Sequence, residues 1–357
     1  MNTMMKLIRF FLSLSLLAGL PHGLAQNLID TDEGWTAINL RVTDELVIPA
    51  YTTLQTASRE LVERTENFCT APAADSLALA QGAFANMMDA WQAVQHIQFG
   101  PVTYFNWNFR MQYWPDERDT SGRQLQTLIA AANTEILDAN SFARQSVGIQ
   151  GLPALERLFF ADTALADFQD NDYLCLLSET IAANLNEISS GILGRWQDEY
   201  RAVVLEPASG GIYEDAEDLS IEFLKALQES LSKIRDLKLA PVMGESFARI
   251  RTRNAESWRS ERSLANIKIN VAALEPLFMA YTEAFHEADV QAVIDAFAEL
   301  NTSLADSADA MVSAQNSEAD YQQLVTIHSR LDNLHEAFEN ALKNTDLYLG
   351  FNSLDGD

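Results

Sequence analysis

Glu156 is the side chain in this sequence whose setting most plainly calls for a chemical explanation. It stands in the run Gly148-Ile149-Gln150-Gly151-Leu152-Pro153-Ala154-Leu155-Glu156-Arg157-Leu158-Phe159-Phe160. Gly148 and Gly151 allow a turn or a close backbone approach. Pro153 suits the first turn of a helix, where its missing N–H costs nothing. Leu155, Leu158 and Phe159 then fall at i, i+3 and i+4 and make one apolar face. A carboxylate among such neighbours needs a partner: an arginine, a metal ion or hydrogen-bond donors. The plainer alternative is a first-turn acid favoured by the helix dipole.

A second stretch offers partners. Trp258-Arg259-Ser260-Glu261-Arg262-Ser263-Leu264 carries two cations in a very acidic chain. Arg259 or Arg262 pairs with Glu156 if the two halves of the chain face each other. Ser263 is suited to cap the helix that follows. A third stretch, Tyr104 to Trp114, packs six aromatic residues into eleven positions without the period of a helix or a strand. It reads as a loop over the end of a bundle, a core plug or a pocket wall.

Other chemistries lack their residues. His96, His286, His328 and His335 include no i, i+4 pair of the kind that holds zinc on a helix. His328 and His335, seven apart, read as solvent-facing or interface residues. The sequence has no nucleophile elbow, no phosphate-binding glycine loop and no Cys-x-x-Cys.

Residues 1–25 read as a secretory signal. Lys6 and Arg9 precede the apolar run Phe10–Leu20, and Gly23-Leu24-Ala25 is a small-residue cleavage site. The run is too short for a permanent membrane span, and no later stretch is long and apolar enough. The expected product begins at Gln26 and is periplasmic or secreted. The signal carries two positive charges and no acid, so net charge moves from −27 to −29. Such acidity argues against nucleic acid, which needs a basic footprint. It is compatible with cationic partners, metal ions among them. The two cysteines, Cys69 and Cys175, allow one internal disulfide. That bridge closes a loop of about a hundred residues, worth ~4 kcal/mol on a chain-entropy account.

Almost everything after residue 40 has helical period. Leu54, Leu61, Val62 and Phe68 mark one helix ending near Cys69. Leu77, Phe84, Met88, Trp91 and Gln95 mark a second, capped by Asp75 or Ser76 and running to Phe99-Gly100-Pro101. Leu125 to Ile136 marks a third, and Leu174 to Trp196 is the clearest stripe in the chain. Four more follow, around Leu219–Ile234, Leu264–Phe278, Val290–Leu300 and Leu324–Phe338. Glu206-Pro207-Ala208-Ser209-Gly210-Gly211 is the best linker. The expected fold is all-α, with two helical-bundle domains in tandem at residues 26–206 and 207–357.

At these residues the chain resembles the imelysin family of exported bacterial proteins. The likeness runs through Trp91–Pro101, Arg110–Asp116, Gly148–Phe160, Glu256–Asn270 and the ending Leu349–Asp357. It implies a duplicated helical bundle with a site between the halves, and association with iron uptake. Some family members are described as metallopeptidases. The family's Gly-x-His-x-x-Glu reads here as Gly151-Leu152-Pro153-Ala154-Leu155-Glu156, with Pro153 in the histidine position. Only Gly151 and Glu156 carry over. Iron or another divalent metal is the cofactor that the resemblance suggests, but no recognisable ligand set supports it. The expected ligand site joins Glu156, Arg110 and Trp114 to Arg259 and Ser260. Two functions follow from the resemblance. One is a non-catalytic binding or accessory protein that meets a metal ion or iron-uptake proteins. The other is a metal-dependent peptidase whose ligands come from elsewhere. A scaffold without a small-molecule site is the third reading.

Overall fold

Stripes of apolar residues at helical spacing should give helices that bury one face each, and that is how the chain folds. The computed structural model describes residue 29, residues 31–307 and residues 310–349. Residues 1–25, where a signal is expected, and the ending 350–357 lie outside the described residues. Among the described residues there is no β-strand. No described helix is long and apolar enough to cross a membrane.

Helix α1 (Asp32–Val42) passes through a π turn at Thr43–Val47 into α2 (Ile48–Thr70). The Ala71-Pro72 break leads to α3 (Ala74–Val94), where the Ser76 hydroxyl accepts from the Ala73 N–H. Helix α3 stops at Val94 instead of reaching Phe99, and just beyond it Gln98 Nε2 donates to the Gln95 carbonyl in a local turn. Short pieces follow: α4 (Trp107–Met111), α5 (Thr120–Ala131), α6 (Ala139–Phe142), α7 (Leu152–Phe159) and α8 (Ala164–Asp170). Helix α5 ends before Ile136 because Ala132 turns left-handed, at φ +46°, and its N–H closes on Leu128 and Ile129. Next are α9 (Asp172–Arg195), a second π turn and α10 (Arg201–Leu205). The Glu206–Gly211 segment forms a 3₁₀ turn. Beyond it come α11 (Ala216–Lys233), a third π turn at Ile234–Leu239, and α12 (Ala240–Met243). The chain then forms α13 (Ser263–Ala280), α14 (Glu287–Ala305), α15 (Ala310–Ser313) and α16 (Glu318–Lys343).

Helices α2, α3 and α9 pack side by side, with α7 against α3 and α9. Helices α11, α13, α14 and α16 pack as a second group. Helix α3 lies on α13, so the seam between the groups is a helix contact. Helix α1 belongs by packing to the far side. Its buried Asn39 donates to the Ala216 carbonyl (2.8 Å) and accepts from Ser220 Oγ (2.8 Å) and Tyr281 OH (2.7 Å). The apolar core is continuous across the seam. Phe99, from the first group, sits edge-on to Phe223 of α11 with centroids 5.0 Å apart. Cys69 and Cys175 form the expected disulfide, tying the end of α2 to the start of α9 across 106 residues.

A buried polar network crosses the same seam. The third π turn places Lys238 inside, fully enclosed. Its three N–H groups are shared among four oxygens, Gln92 Oε1 (2.7 Å), Gln95 Oε1 (2.8 Å), Asn270 Oδ1 (2.6 Å) and Glu256 Oε2 (2.8 Å). Glu256 also accepts from Gln112 Nε2 and Asn266 Nδ2, each at 2.9 Å. Burial alone raises a carboxyl pKa, but Lys238 and the amide donors outweigh it and hold Glu256 ionised, below its ordinary range. Three of these side chains come from the first group (Gln92, Gln95, Gln112), and the rest come from beyond the 3₁₀ turn.

Breaking a buried pair leaves an uncompensated charge, whereas an exposed pair is already solvated. Glu256→Ala is therefore expected to lower the unfolding free energy in urea by about 3–5 kcal/mol. Glu245→Ala, which removes the exposed partner of Arg249, should leave the urea midpoint essentially unmoved. Equal midpoints for the two variants would show that the network does not hold the halves together.

Candidate functional site

The site begins with a backbone constraint. Gly151 is extended and precedes α7. A Cβ there would run into the carbonyl oxygens of Arg110 and Met111, so only glycine lets α7 start this close to α4. Pro153 occupies the first turn. Leu155 and Phe159 are wholly buried in the core, which fixes the roll of the helix and turns Glu156 toward the seam.

Glu156 is 5% exposed. Its Oε1 accepts from the Ser260 N–H at 3.0 Å and from the Ser260 hydroxyl at 2.7 Å. The carboxylate of the first group thus latches a loop of the second. Burial pushes the Glu156 carboxyl above its ordinary value, against the Ser260 donors and the Arg259 cation. The nearby Glu256 charge pushes it the same way as burial.

The loop it holds is strained. Ser257 and Glu261, neither of them glycine, have φ of +51° and +57°. It is pinned from behind as well. Ser263 Oγ donates to the Glu256 carbonyl (2.5 Å), and Asn266 Nδ2 donates to Ser257 Oγ (3.1 Å). Ser263 therefore does not cap α13. Arg262 holds the cap position, and Ser263 lies inside the helix with its hydroxyl turned back to the loop.

Between α7 and this loop lies a cavity of about 780 Å³. Its first wall includes Tyr113, Trp114, Asp116, Asp119, Pro153 and Arg157, with Glu156 at the seam. Its second wall includes Arg251, Arg253, Ser257, Trp258 and Arg259. The Arg259 guanidinium carbon lies 4.2 Å from the centroid of the Trp258 ring, and that of Arg253 lies 5.4 Å away. Burial, and then the neighbouring Arg157 cation, lower the Arg259 pKa. Asp116 accepts from the Thr120 and Ser121 N–H groups at 2.9 and 2.8 Å. Burial acts against these donors, which nonetheless hold its carboxyl below the ordinary range.

Of the five ligand-site residues expected from sequence, Glu156, Trp114 and Arg259 line this cavity, and Ser260 latches Glu156 beside it. Arg110 does not join them. It is buried on the far side of its helix, donating to Gln150 Oε1 (2.7 Å) and Asn184 Oδ1 (2.6 Å), where it ties α4 to α9. Arg262 forms its ion pair with Asp89 of α3 rather than with Glu156. Arg259 influences Glu156 through its charge, and Ser260 makes the direct bonds. Arg251 and Arg253 were missed, although the alternation Arg249-Ile250-Arg251-Thr252-Arg253 stands out in so acidic a chain. Lys238 was also missed. None of the four histidines outside the signal lines the cavity.

The side chains at the motif do not fit a metal ion. Pro153 lines the cavity with a ring that has no donor atom, and Glu156 already gives Oε1 to two Ser260 donors. Among the described residues no three His, Cys, Asp or Glu side chains gather to hold one.

Comparison with known proteins places this geometry. The imelysin family model matches residues 47–348. A solved imelysin-like protein from Psychrobacter arcticum 273-4 superposes with a TM-score of 0.75 at 21% identity, covering 90% of this chain and 98% of that one. A protein from Parabacteroides distasonis ATCC 8503, provisionally described as an iron-regulated protein A precursor, superposes with a TM-score of 0.72 at 13% identity. That match covers 88% of this chain and 96% of the other. Among curated proteins no match is found.

The latch makes a pH-dependent prediction. A carboxyl whose folded pKa is raised contributes stability that is fully present below its unfolded value, about 4.5. That contribution is lost as pH rises through the folded value. Urea unfolding of the native protein and of Glu156→Gln should therefore diverge across this window, with the native protein losing ground as pH rises. Glu156→Ala strands the Ser260 N–H and should lose about 1–3 kcal/mol. Parallel pH profiles for the native and Gln proteins would refute the placement of this carboxylate.

Proposed function

The chain belongs to the imelysin family, and from that premise we propose that it is an exported, non-catalytic binding protein of iron or metal uptake that takes its ligand in the cleft between its two helical halves. The observation that carries this reading is the pairing of Pro153 with a Glu156 already latched to Ser260. Hydrolysis by a metal needs several protein ligands and an open position for water. This motif supplies a ring without a donor and one carboxylate that is already engaged. The same residues do build a cavity of ligand size with aromatic walls and a few polar groups. Export is supported by the signal-like residues 1–25 and by the Cys69–Cys175 disulfide, which persists in oxidising compartments. The link to iron rests on the family and on the description given to the Parabacteroides relative.

The test is elemental analysis of the protein purified from its native cell envelope, together with an assay on denatured casein. The expected result is casein left intact and less than stoichiometric zinc or iron after dialysis. In a deletion strain, growth under iron limitation should be restored by the native gene. It should not be restored by a variant with the cleft filled from an exposed lining residue, Glu117→Trp, that unfolds at the native urea midpoint. Stoichiometric metal with casein hydrolysis abolished by a chelator would overturn the reading in favour of a metal-dependent peptidase.

A further inference from the structure

The proposed cleft has two walls of unlike electrostatic character. The chain has 51 acids against 24 lysines and arginines. About half of the described arginines pair with a carboxylate. Arg157 pairs with Asp119, Arg262 with Asp89, Arg201 with Asp44, and Arg330 with Glu299. Among the described residues no carboxylate stands within salt-bridge distance of Arg251, Arg253 or Arg259. These three share one wall of one cavity.

The opposite wall is acidic in composition, and three of its four carboxylates are engaged. Both Asp116 oxygens accept backbone N–H groups, Asp119 holds Arg157, and Glu156 Oε1 holds Ser260, while Glu117 stands exposed at the edge. The largest free hydrogen-bonding capacity of the cleft is thus donor capacity on its three arginines. The donors are also fixed in place. The Arg251 N–H bonds the Val242 carbonyl at 2.7 Å, and Asn254 Nδ2 bonds the Pro241 carbonyl at 3.2 Å, anchoring the 251–254 turn to α12. Trp258 carries the guanidinium groups of Arg253 and Arg259 near its ring, which restricts their rotamers. A planar guanidinium presents paired N–H groups that match the two oxygens of a carboxylate.

We propose that Arg251, Arg253 and Arg259, arranged around Trp258, form an anion subsite that recognises a ligand bearing two or more carboxylates, either free or wrapped around a ferric ion. This rests on the reading of the cleft as the ligand site. It names the chemistry of the ligand: the metal is held by the chelating carboxylates, and the protein grips their outer oxygens. A cleft that lacks its own metal ligands can then still carry iron.

The experiment is calorimetric titration of the mature protein with four probes: citrate, ferric citrate, inorganic phosphate and ferrous ion alone under anaerobic conditions. The variants are Arg253→Gln, Arg259→Gln, their double, and Arg259→Lys. All are judged folded by an unchanged urea midpoint. Citrate and ferric citrate should bind, and each Gln substitution should weaken them roughly tenfold or more, as loss of a charge-assisted bond does. Arg259→Lys should recover only part of that loss, since a lysine keeps the charge but not the fork. Binding should weaken in higher salt. Tighter ferric citrate than citrate identifies the chelate as the ligand, and equal affinities identify the free polycarboxylate.

Citrate binding unchanged in the double variant, or phosphate bound as tightly as citrate, overturns the subsite. Tight ferrous binding that ignores all four variants, with silent anions, also overturns it while leaving the uptake reading in place. Metal-dependent casein hydrolysis removes the uptake reading itself, whatever the anions do.

Discussion

The buried pair of Lys238 and Glu256 is the constraint around which the two helical groups are arranged. Neither charge could remain inside without the other, because desolvating a lone ion costs far more than one hydrogen bond returns. Nor does the pair suffice alone. Its remaining capacity is met by Gln92, Gln95 and Gln112 from one side and by Asn266 and Asn270 from the other. A register shift of α3 against α13 by one turn would strand several of these groups at once. The pair thus selects one docking of the halves, which an apolar seam of leucines and alanines would leave less sharply defined. The π turn at Ile234–Leu239 is part of the same arrangement. Lys238, inside it, lies four residues beyond Ile234 and seven beyond Leu231, and so continues the buried stripe of α11.

The cleft depends on that docking. Glu256 holds Lys238 through its carboxylate, and its carbonyl receives Ser263 at the base of the strained loop. The upper part of the loop is held by Glu156 through Ser260. The loop therefore hangs between two carboxylates, one ionised by a lysine and the other pushed toward its neutral form by burial. Left-handed backbone at Ser257 and Glu261 persists because both ends are fixed. Glu156, with Pro153 three residues before it, bonds across the seam to Ser260.

Much of the architecture could be read from the sequence, because period-3.6 stripes report burial directly. The stripes of α9, α11 and α16 became helices at the expected residues. The ends were less legible. Ala132 stops α5 in a left-handed conformation that alanine composition does not announce, and α3 stops at Val94, short of Phe99. Side-chain partners were the least legible. Arg110 bonds Gln150 and Asn184, 40 and 74 residues away, so its direction is set by packing that no local pattern encodes. Lys238 meets groups up to 146 residues distant. The exception is Glu156 with the Trp258–Ser260 stretch. An acid on an apolar face demands a donor, and a polar loop carrying Arg259, Ser260 and Arg262 was one source. The demand was met by Ser260, which reaches the carboxylate with both a backbone and a side-chain donor.

An anion subsite in a chain of net charge −27 looks contradictory, and the length scale of screening resolves it. At physiological ionic strength the Debye length is about 8 Å. Surface carboxylates farther than that from the cleft barely raise the cost of bringing in an anion, while three guanidinium groups on the cavity wall act across contact distance. The acidic surface and the basic wall therefore do different things. The surface slows the approach of anions in dilute salt and keeps copies of the chain apart. The wall decides what stays. Of the first wall's carboxylates Glu117 alone has no partner, and it is exposed, whereas an arriving carboxylate finds three unmatched guanidinium groups. The sign of the cleft is set by which of its charges are still unpaired, and in this fold most of those charges are arginines.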